Sequence, residues 1–525
     1  MSKRTFLTTI ALILAVIGGG PLISMLCKSL VVDGSFSISA YREVLSSGNQ
    51  WHSLSNSFVL AAAVTALCSC IGIPLGIIFE KTNLALRSYF VVLFAIPLMV
   101  PSYIYAVAWS DVVAGPITAI CGNHTAAIFS HLLFGLPGAT LVLTTVFLPI
   151  PIILTMVFLR TVNPALEEAA RTAAGWKTVL KSITIPLVMP GIMLSALLVF
   201  LLTMGELSVP LFLRYQVFPA ESFIQFSAFY NFNAATATAL PLAGIAIVAL
   251  AFEERFLHNK TCLPRIHARN CRSSMQLGRW HIPVFAIISS CAIIFIMTPV
   301  ATLLVQAGST YPAALRKAGS SLSRGVSYAF IGASIITFLG FFSGYIIQKK
   351  QPPFWHALDS LMLFLFVLPG SVIGIGLISL WNHSYTNFVY TTPLIIILGY
   401  IAKYTAISSR VCAATLTQIP PSMEDAAQVS GAGWFSSITT ISIPMARHGL
   451  LAAWLATYTF LLRDTDVTML VYPAGHETLA VRIFTMMANG NPNLIAALCI
   501  IMMTAALLPA ALFFMTFKKY ITRII

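Results

Sequence analysis

The sequence predicts an all-α membrane protein of about twelve transmembrane helices in two homologous six-helix halves, and three observations predict it. Of 525 residues, 58% are apolar and only 9% charged, and the mean hydropathy is +0.88, so most of the chain cannot face water. Apolar runs of about 20 residues recur along the whole length, which is the span a helix needs to cross the hydrocarbon layer with its backbone polar groups satisfied internally. A segment of the first half also returns in the second, at an offset of about 257 residues.

In chain order, the first half's runs cover residues 6–27, 57–79, 89–111, 139–160, 187–210 and 235–253. Those of the second half cover 281–305, 325–347, 358–381, 391–412, 446–470 and 494–517. The apolar stretch from Ala126 to Phe134 is short for a crossing and reads as a re-entrant or interfacial segment. Pro97 and Pro101 in the third run, and Pro369 with Gly370 in the ninth, are expected to kink their helices. The first run is longer than the core of a secretory signal and lacks a small-x-small cleavage site, so it reads as a true span.

The basic residues set the orientation, because cytoplasmic loops are enriched in Lys and Arg. Lys3, Arg4, Lys81, Arg87, Arg171, Lys177, Lys181, Lys349, Lys350, Lys518, Lys519 and Arg523 all fall on one side, which puts both termini in the cytoplasm. Arg316, Lys317 and Arg324 form the one cluster on the other side. The formal charge of +14 is therefore divided among short loops, and a nucleic-acid partner is not expected.

Residues 1–253 and 281–525 form the two predicted membrane domains, joined by a basic cytoplasmic linker at 254–280. The linker carries His258, Cys262, His267 and Cys271, spacings that could hold zinc on a compact turn. With no further ligand cluster beside them, the linker reads as a solvated tether and no metal site is assigned. The nine cysteines fall mostly within apolar runs and show no disulfide framework.

The repeat itself lies in the loops between the fourth and fifth runs of each half. Val162-Asn-Pro-Ala-Leu-Glu-Glu-Ala-Ala-Arg171 returns as Ile419-Pro-Pro-Ser-Met-Glu-Asp-Ala-Ala-Gln428, and Trp176 to Pro186 matches Trp434 to Pro444. Each copy opens with a Pro and acidic residues, which suit a first helical turn. A glycine break follows, then an amphipathic stretch ending at a proline. Each loop thus predicts two short helices lying across the membrane face.

These residues resemble the EAA loop of permeases from bacterial binding-protein-dependent ABC importers: Glu-Ala-Ala, three residues, Gly, then about nine residues to Ile-x-Leu-Pro. The matching positions are Glu168, Ala169, Ala170, Gly175, Ile183 and Pro186, then Asp425, Ala426, Ala427, Gly431, Ile441 and Pro444. The departures are Asp425 for Glu, Ile185 and Ile443 for Leu, and a four-residue gap before Gly175 unless Ala174 takes the glycine position. The resemblance implies an inner-membrane permease that is not itself an enzyme and binds no cofactor. Its loops would engage two cytoplasmic ABC ATPase subunits, which use the ATP, while an extracytoplasmic binding protein delivers the solute. The chain carries no Gly-Lys dipeptide, hence no phosphate-cradling Gly-x4-Gly-Lys-Ser/Thr loop of its own. A fused two-half layout is most similar to ferric-iron transport permeases, with thiamine, aminoethylphosphonate, sulfate and polyamine systems as alternatives.

Ionisable residues in or near spans face a cavity, a partner or the interface. Glu206 aligns with Asp464 at an offset of 258, and with Arg463 and Asp466 they are expected to line the outer mouth of a translocation path. The alternative is a set of paired, solvated residues at helix ends. A secondary transporter would also carry two membrane repeats and intramembrane charges, but it would not require paired EAA loops. His124, His131 and His476 have no spacing that supports catalysis.

Overall fold

A computed structural model describes residues 3–32, 35–258 and 275–524. Ten helices among the described residues are long and apolar enough to cross a membrane, and a bent pair makes an eleventh. The first half contributes α1 (Lys3–Ser29), α2 (Gly48–Lys81), α3 (Arg87–Ala95), α4 (Ser102–Leu133), α5 (Leu136–Leu159), α6 (Pro164–Ala173), α7 (Trp176–Met204) and α8 (Phe232–Phe252). The second contributes α9 (Gly278–Ala307), α10 (Tyr311–Lys349), α11 (Trp355–Val367), α12 (Gly370–Trp381), α13 (Leu394–Leu416), α14 (Pro421–Val429), α15 (Ile443–Leu462) and α16 (Pro492–Ile524). α15 stands outside the ten because Arg447 and His448 near its start lower its hydropathy, yet its 20 residues occupy the place of the predicted eleventh run.

The third run is not one continuous span. α3 tightens into a 3-10 turn at Ile96–Met99, the chain is extended at Val100 (φ −114°, ψ 147°) and Pro101, and α4 starts anew. The second half does the same at Leu368 (φ −60°, ψ 141°) and Pro369, where α11 and α12 meet at 110°. Proline lacks the amide hydrogen and excludes the helical conformation from the residue before it, so each Val/Leu-Pro step breaks the helix where a kink was expected. The stretch from Ala126 is a continuation of α4, beyond a kink at Gly122 (φ +78°), rather than a separate element.

Within each half three helices make the core: α2, α5 and α7 in the first, α10, α13 and α15 in the second. Close approach is achieved through glycine, as at Gly76, where a Cβ would meet the Ile152 carbonyl at 2.8 Å, and Gly344, where it would meet the Ser409 carbonyl at 2.8 Å. The first spans are exchanged between the halves. α1 lies along α12 and also touches α11 and α13, whereas α9 lies along α4 and α16. Of the linker's His258, Cys262, His267 and Cys271, only the backbone of His258 lies within the described residues.

Candidate functional site

Two sites follow from the repeat: an exposed helical face and a polar cluster between the broken helices. On the face, α6 begins with Asn163 as N-cap, its side chain accepting from the Ala165 amide at 3.0 Å, and Pro164 in the first turn. α14 begins with Pro421 in the same position. Successive residues of a helix point about 100° apart, so adjacent acidic residues serve different sides. Glu168 and Asp425 are exposed, as are Ala169 and Ala426, with Ala170 and Ala427 half-buried. Glu167 points inward and is fully buried.

The Glu167 carboxylate is held by Lys81 Nζ at 2.6 Å and accepts from the Thr184 hydroxyl at 2.8 Å. Glu424 is held in the same way by Lys349 Nζ at 2.8 Å and accepts from the Ser442 hydroxyl at 3.4 Å. Each carboxylate therefore joins the face helix to the end of the second span and the start of the fifth. Past each helix the chain turns through extended Gly175 (φ −72°, ψ 161°) and Gly433 (φ −66°, ψ 159°) into the stretch headed by Trp176 or Trp434. Gly175 thus corresponds in backbone to Gly433, not to Gly431 as the sequence spacing suggested. Gly431 sits at φ +84°, a left-handed position open to glycine, and takes up the extra residue of the second copy. Pro186 and Pro444 are exposed in the first turns of the following helical runs.

The second site is a cavity of about 70 Å³ lined by Pro101, Ser102, Glu206, Pro369, Lys403, Arg463, Asp464 and Asp466. Both helix breaks open onto it, so its walls come from both halves. The Ser102 hydroxyl donates to Glu206 at 2.7 Å. The Ser208 hydroxyl donates to Asp466 at 3.2 Å, a bond between positions 258 residues apart. Equivalent positions of the repeat thus touch, which locates the pseudo-twofold axis here. Lys403 lies 4.0 Å from Asp466, and the Arg463 guanidinium donates to the Leu98 carbonyl across the halves. Asp464 is used differently: it accepts from Tyr404 at 2.6 Å and from the Thr468 amide and hydroxyl at 3.0 and 2.7 Å. Three carboxylates against two cations leave one formal negative charge. The cavity has room for no more than a few waters.

The family of binding-protein-dependent transport system inner membrane components matches residues 72–257, which include the α6 loop and Glu206. Residues 72–257 of the chain thus resemble a domain of this family. The chain is also 23% identical over 453 residues to the Fe(3+)-transport system permease protein FbpB 2 of Haemophilus influenzae, covering 82% of this chain and 83% of that protein. It is 22% identical over 484 residues to the ferric transport system permease protein FbpB of Actinobacillus pleuropneumoniae, covering 86% and 69%. The spermidine/putrescine transport system permease protein PotC of Haemophilus influenzae matches over 182 residues at 22% identity, covering 35% and 70%. The matched family is one of inner-membrane components of binding-protein-dependent transport systems, and the many apolar helices of the chain agree with a multi-pass membrane component.

Sequence reasoning singled out Glu168 and Asp425 on the exposed side of the loop but passed over the buried pairs beneath them. A signal was present: Gly72-x3-Gly76-x4-Lys81 returns as Gly340-x3-Gly344-x4-Lys349. Its offset is 268, because the first half is longer between its third and fourth spans, and a search at 257 does not align it. Lys403 was also missed as a cavity residue, although a lysine inside the 391–412 run is itself a signal; Tyr404 and Ser208 carry no single-sequence feature that distinguishes them from other span residues.

Proposed function

We propose that this permease forms the membrane path of a fused ABC importer for ferric iron, with the α6 and α14 face in the cytoplasm, both termini on that side, and one ATPase subunit engaged by each loop. The observation that carries this reading is the pair of exposed acidic helices, Glu168 on α6 and Asp425 on α14, each joined through a glycine to a tryptophan-headed stretch leading into a core span. A short helix tied to two spans is a lever whose arrangement both the ATPase and the path can bias. Closure of the ATPases would draw the two levers together and separate the halves at the Ser208–Asp466 and Arg463–Leu98 contacts, opening the cavity. Among the described residues no group of three or more His, Cys, Asp or Glu could hold a metal ion, so selection of iron is assigned to the binding protein.

The test is co-purification of the cognate ATPase with the native chain and with the double reversal Glu168→Lys and Asp425→Lys, followed by radiolabelled ferric iron uptake into proteoliposomes supplied with the binding protein. Loss of the ATPase or of coupled uptake in the reversal supports the assignment. An unchanged complex with unchanged uptake refutes the coupling role. A polyamine is the second reading, favoured by the negative balance of the cavity and the half-length spermidine/putrescine relative. Uptake of spermidine without iron would select it.

A further inference from the structure

The two buried ion pairs under the face are built alike although the chain between their members differs. The lysines are 268 residues apart, the glutamates 257, and the hydroxyl donors Thr184 and Ser442 258, yet the three groups converge in both halves. Each pair closes a triangle among the face helix, the second span and the start of the fifth span. Without it, α6 would be joined to α5 and α7 through the short connections at residues 160–163 and 174–175 and the Arg171–Trp176 contact, and α14 to α13 and the Trp434-headed stretch through 417–420 and 430–433. A push on an exposed helix held that way tilts the helix before it moves a span.

We propose that Lys81 with Glu167, and Lys349 with Glu424, are positioning residues that make α6 move with α2 and α14 with α10, so that ATPase motion reaches the core helices and the central cavity. The proposal rests on the coupling reading above. The two ties differ in stiffness. In the first, the side chains of Lys81 and Glu167 are 8% and 0% exposed. In the second, those of Lys349 and Glu424 are 24% and 14% exposed, and α1 supplies an additional brace: Phe6 meets Trp434 and Phe435 at ring-centroid distances of 5.8 and 5.2 Å. The first half also has Arg171 of α6 over the Trp176 ring at 4.6 Å and Arg160 paired with Glu80 at 2.9 Å, whereas the second adds the aromatic contact to a more exposed pair.

The experiment uses the assembled transporter, this chain with its ATPase and binding protein, in proteoliposomes. Variants are Glu424→Gln, Lys349→Glu, Glu424→Lys, the swap Lys349→Glu with Glu424→Lys, and the corresponding set at 81 and 167. ATPase retention, ATP hydrolysis and solute taken up per ATP are measured together. The expected result is retained ATPase and hydrolysis in the single variants with solute per ATP reduced at least about tenfold, and recovery in the swap to within about threefold of native, since a restored pair restores the tie. The Glu424→Gln variant keeps an acceptor for Ser442 at a partly exposed site and reports if the charge reversals fail to assemble. Native solute per ATP in Glu424→Gln and Lys349→Glu with the ATPase bound overturns the proposal, as does a swap that restores assembly without restoring coupling. Failure of the native chain to retain an ATPase overturns the coupling reading itself, a result distinct from either.

Discussion

Glu206 and Asp464 occupy equivalent places in the repeat but do different work. The side-chain contacts of Asp464 are internal: Tyr404 on one oxygen and the Thr468 amide and hydroxyl on the other, which tie it to the first residue of the short helix Thr468–Val471. Glu206 accepts only the Ser102 hydroxyl among the contacts of the cavity wall and is half-buried. Asp464→Asn should therefore lower stability, since charge-assisted hydrogen bonds are worth roughly 1.5–3 kcal/mol each and a buried amide cannot accept from all three donors. Glu206→Gln should leave the melting temperature in detergent within about 2 °C of native, because the amide oxygen still accepts from Ser102 at a half-buried site, while reducing uptake several-fold. Thermal melts and proteoliposome uptake on the two variants separate the roles, and equal loss of uptake at equal stability would contradict them. The alignment of the two acids was legible in the sequence. That Asp464 is held by internal contacts while Glu206 has a single wall contact was not, since it depends on Tyr404 and Thr468, which lie 60 residues before and four residues after Asp464.

At the scale of elements, the helix breaks at Pro101 and Pro369 decide what can approach the axis. The break places Gly370 where a Cβ would lie 2.5 Å from the Asp466 Cβ, 2.9 Å from Lys403 Nζ and 2.9 Å from the Val467 amide. Gly370→Val should displace Asp466 and Lys403 together, because backbone cannot yield as a flexible side-chain end does, and uptake should fall at least about tenfold with the chain still inserted and able to bind its ATPase. Retained uptake in that variant would mean that Asp466 and Lys403 can leave the cavity without cost to transport. The breaks were legible as kinks from proline alone, because a missing amide acts locally. Their consequence was not, because a 110° bend in α11–α12 brings residues from α13 and the end of α15 to one point. The same limit applies to the repeat: Trp176 and Trp434 align by simple offset, whereas Lys81 and Lys349 do so only after allowing for the longer α4 of the first half.

For the molecule as a whole, the exchange of first spans makes each half incomplete without the other. α1 packs on α12 so closely that a Cβ on Gly376 would meet the Pro21 carbonyl at 3.0 Å, and one on Gly18 would meet the Leu365 side chain of α11. Lys28 reaches the Ser379 carbonyl at 2.5 Å and Ser24 meets Ser379 at 2.9 Å. On the other side, α9 covers α4, and the Tyr103 hydroxyl donates to the Ala480 carbonyl at 2.8 Å. In a membrane, where apolar burial gives little driving force, such close backbone contacts and interhelical hydrogen bonds are what hold helices together. The covalent linker should then be dispensable for assembly once both halves share a bilayer. Co-expression of residues 1–258 with residues 275–525, one of them tagged, should yield a co-purifying pair with uptake within about threefold of the fused chain, because the linker adds effective concentration rather than contacts. Either half expressed alone should be degraded or aggregate, since its exchanged first span leaves the core helices of the other half as its missing partner. A half that is monodisperse by itself, or a co-expressed pair that does not associate, would mean that the crossing helices do not carry the assembly and that the linker does.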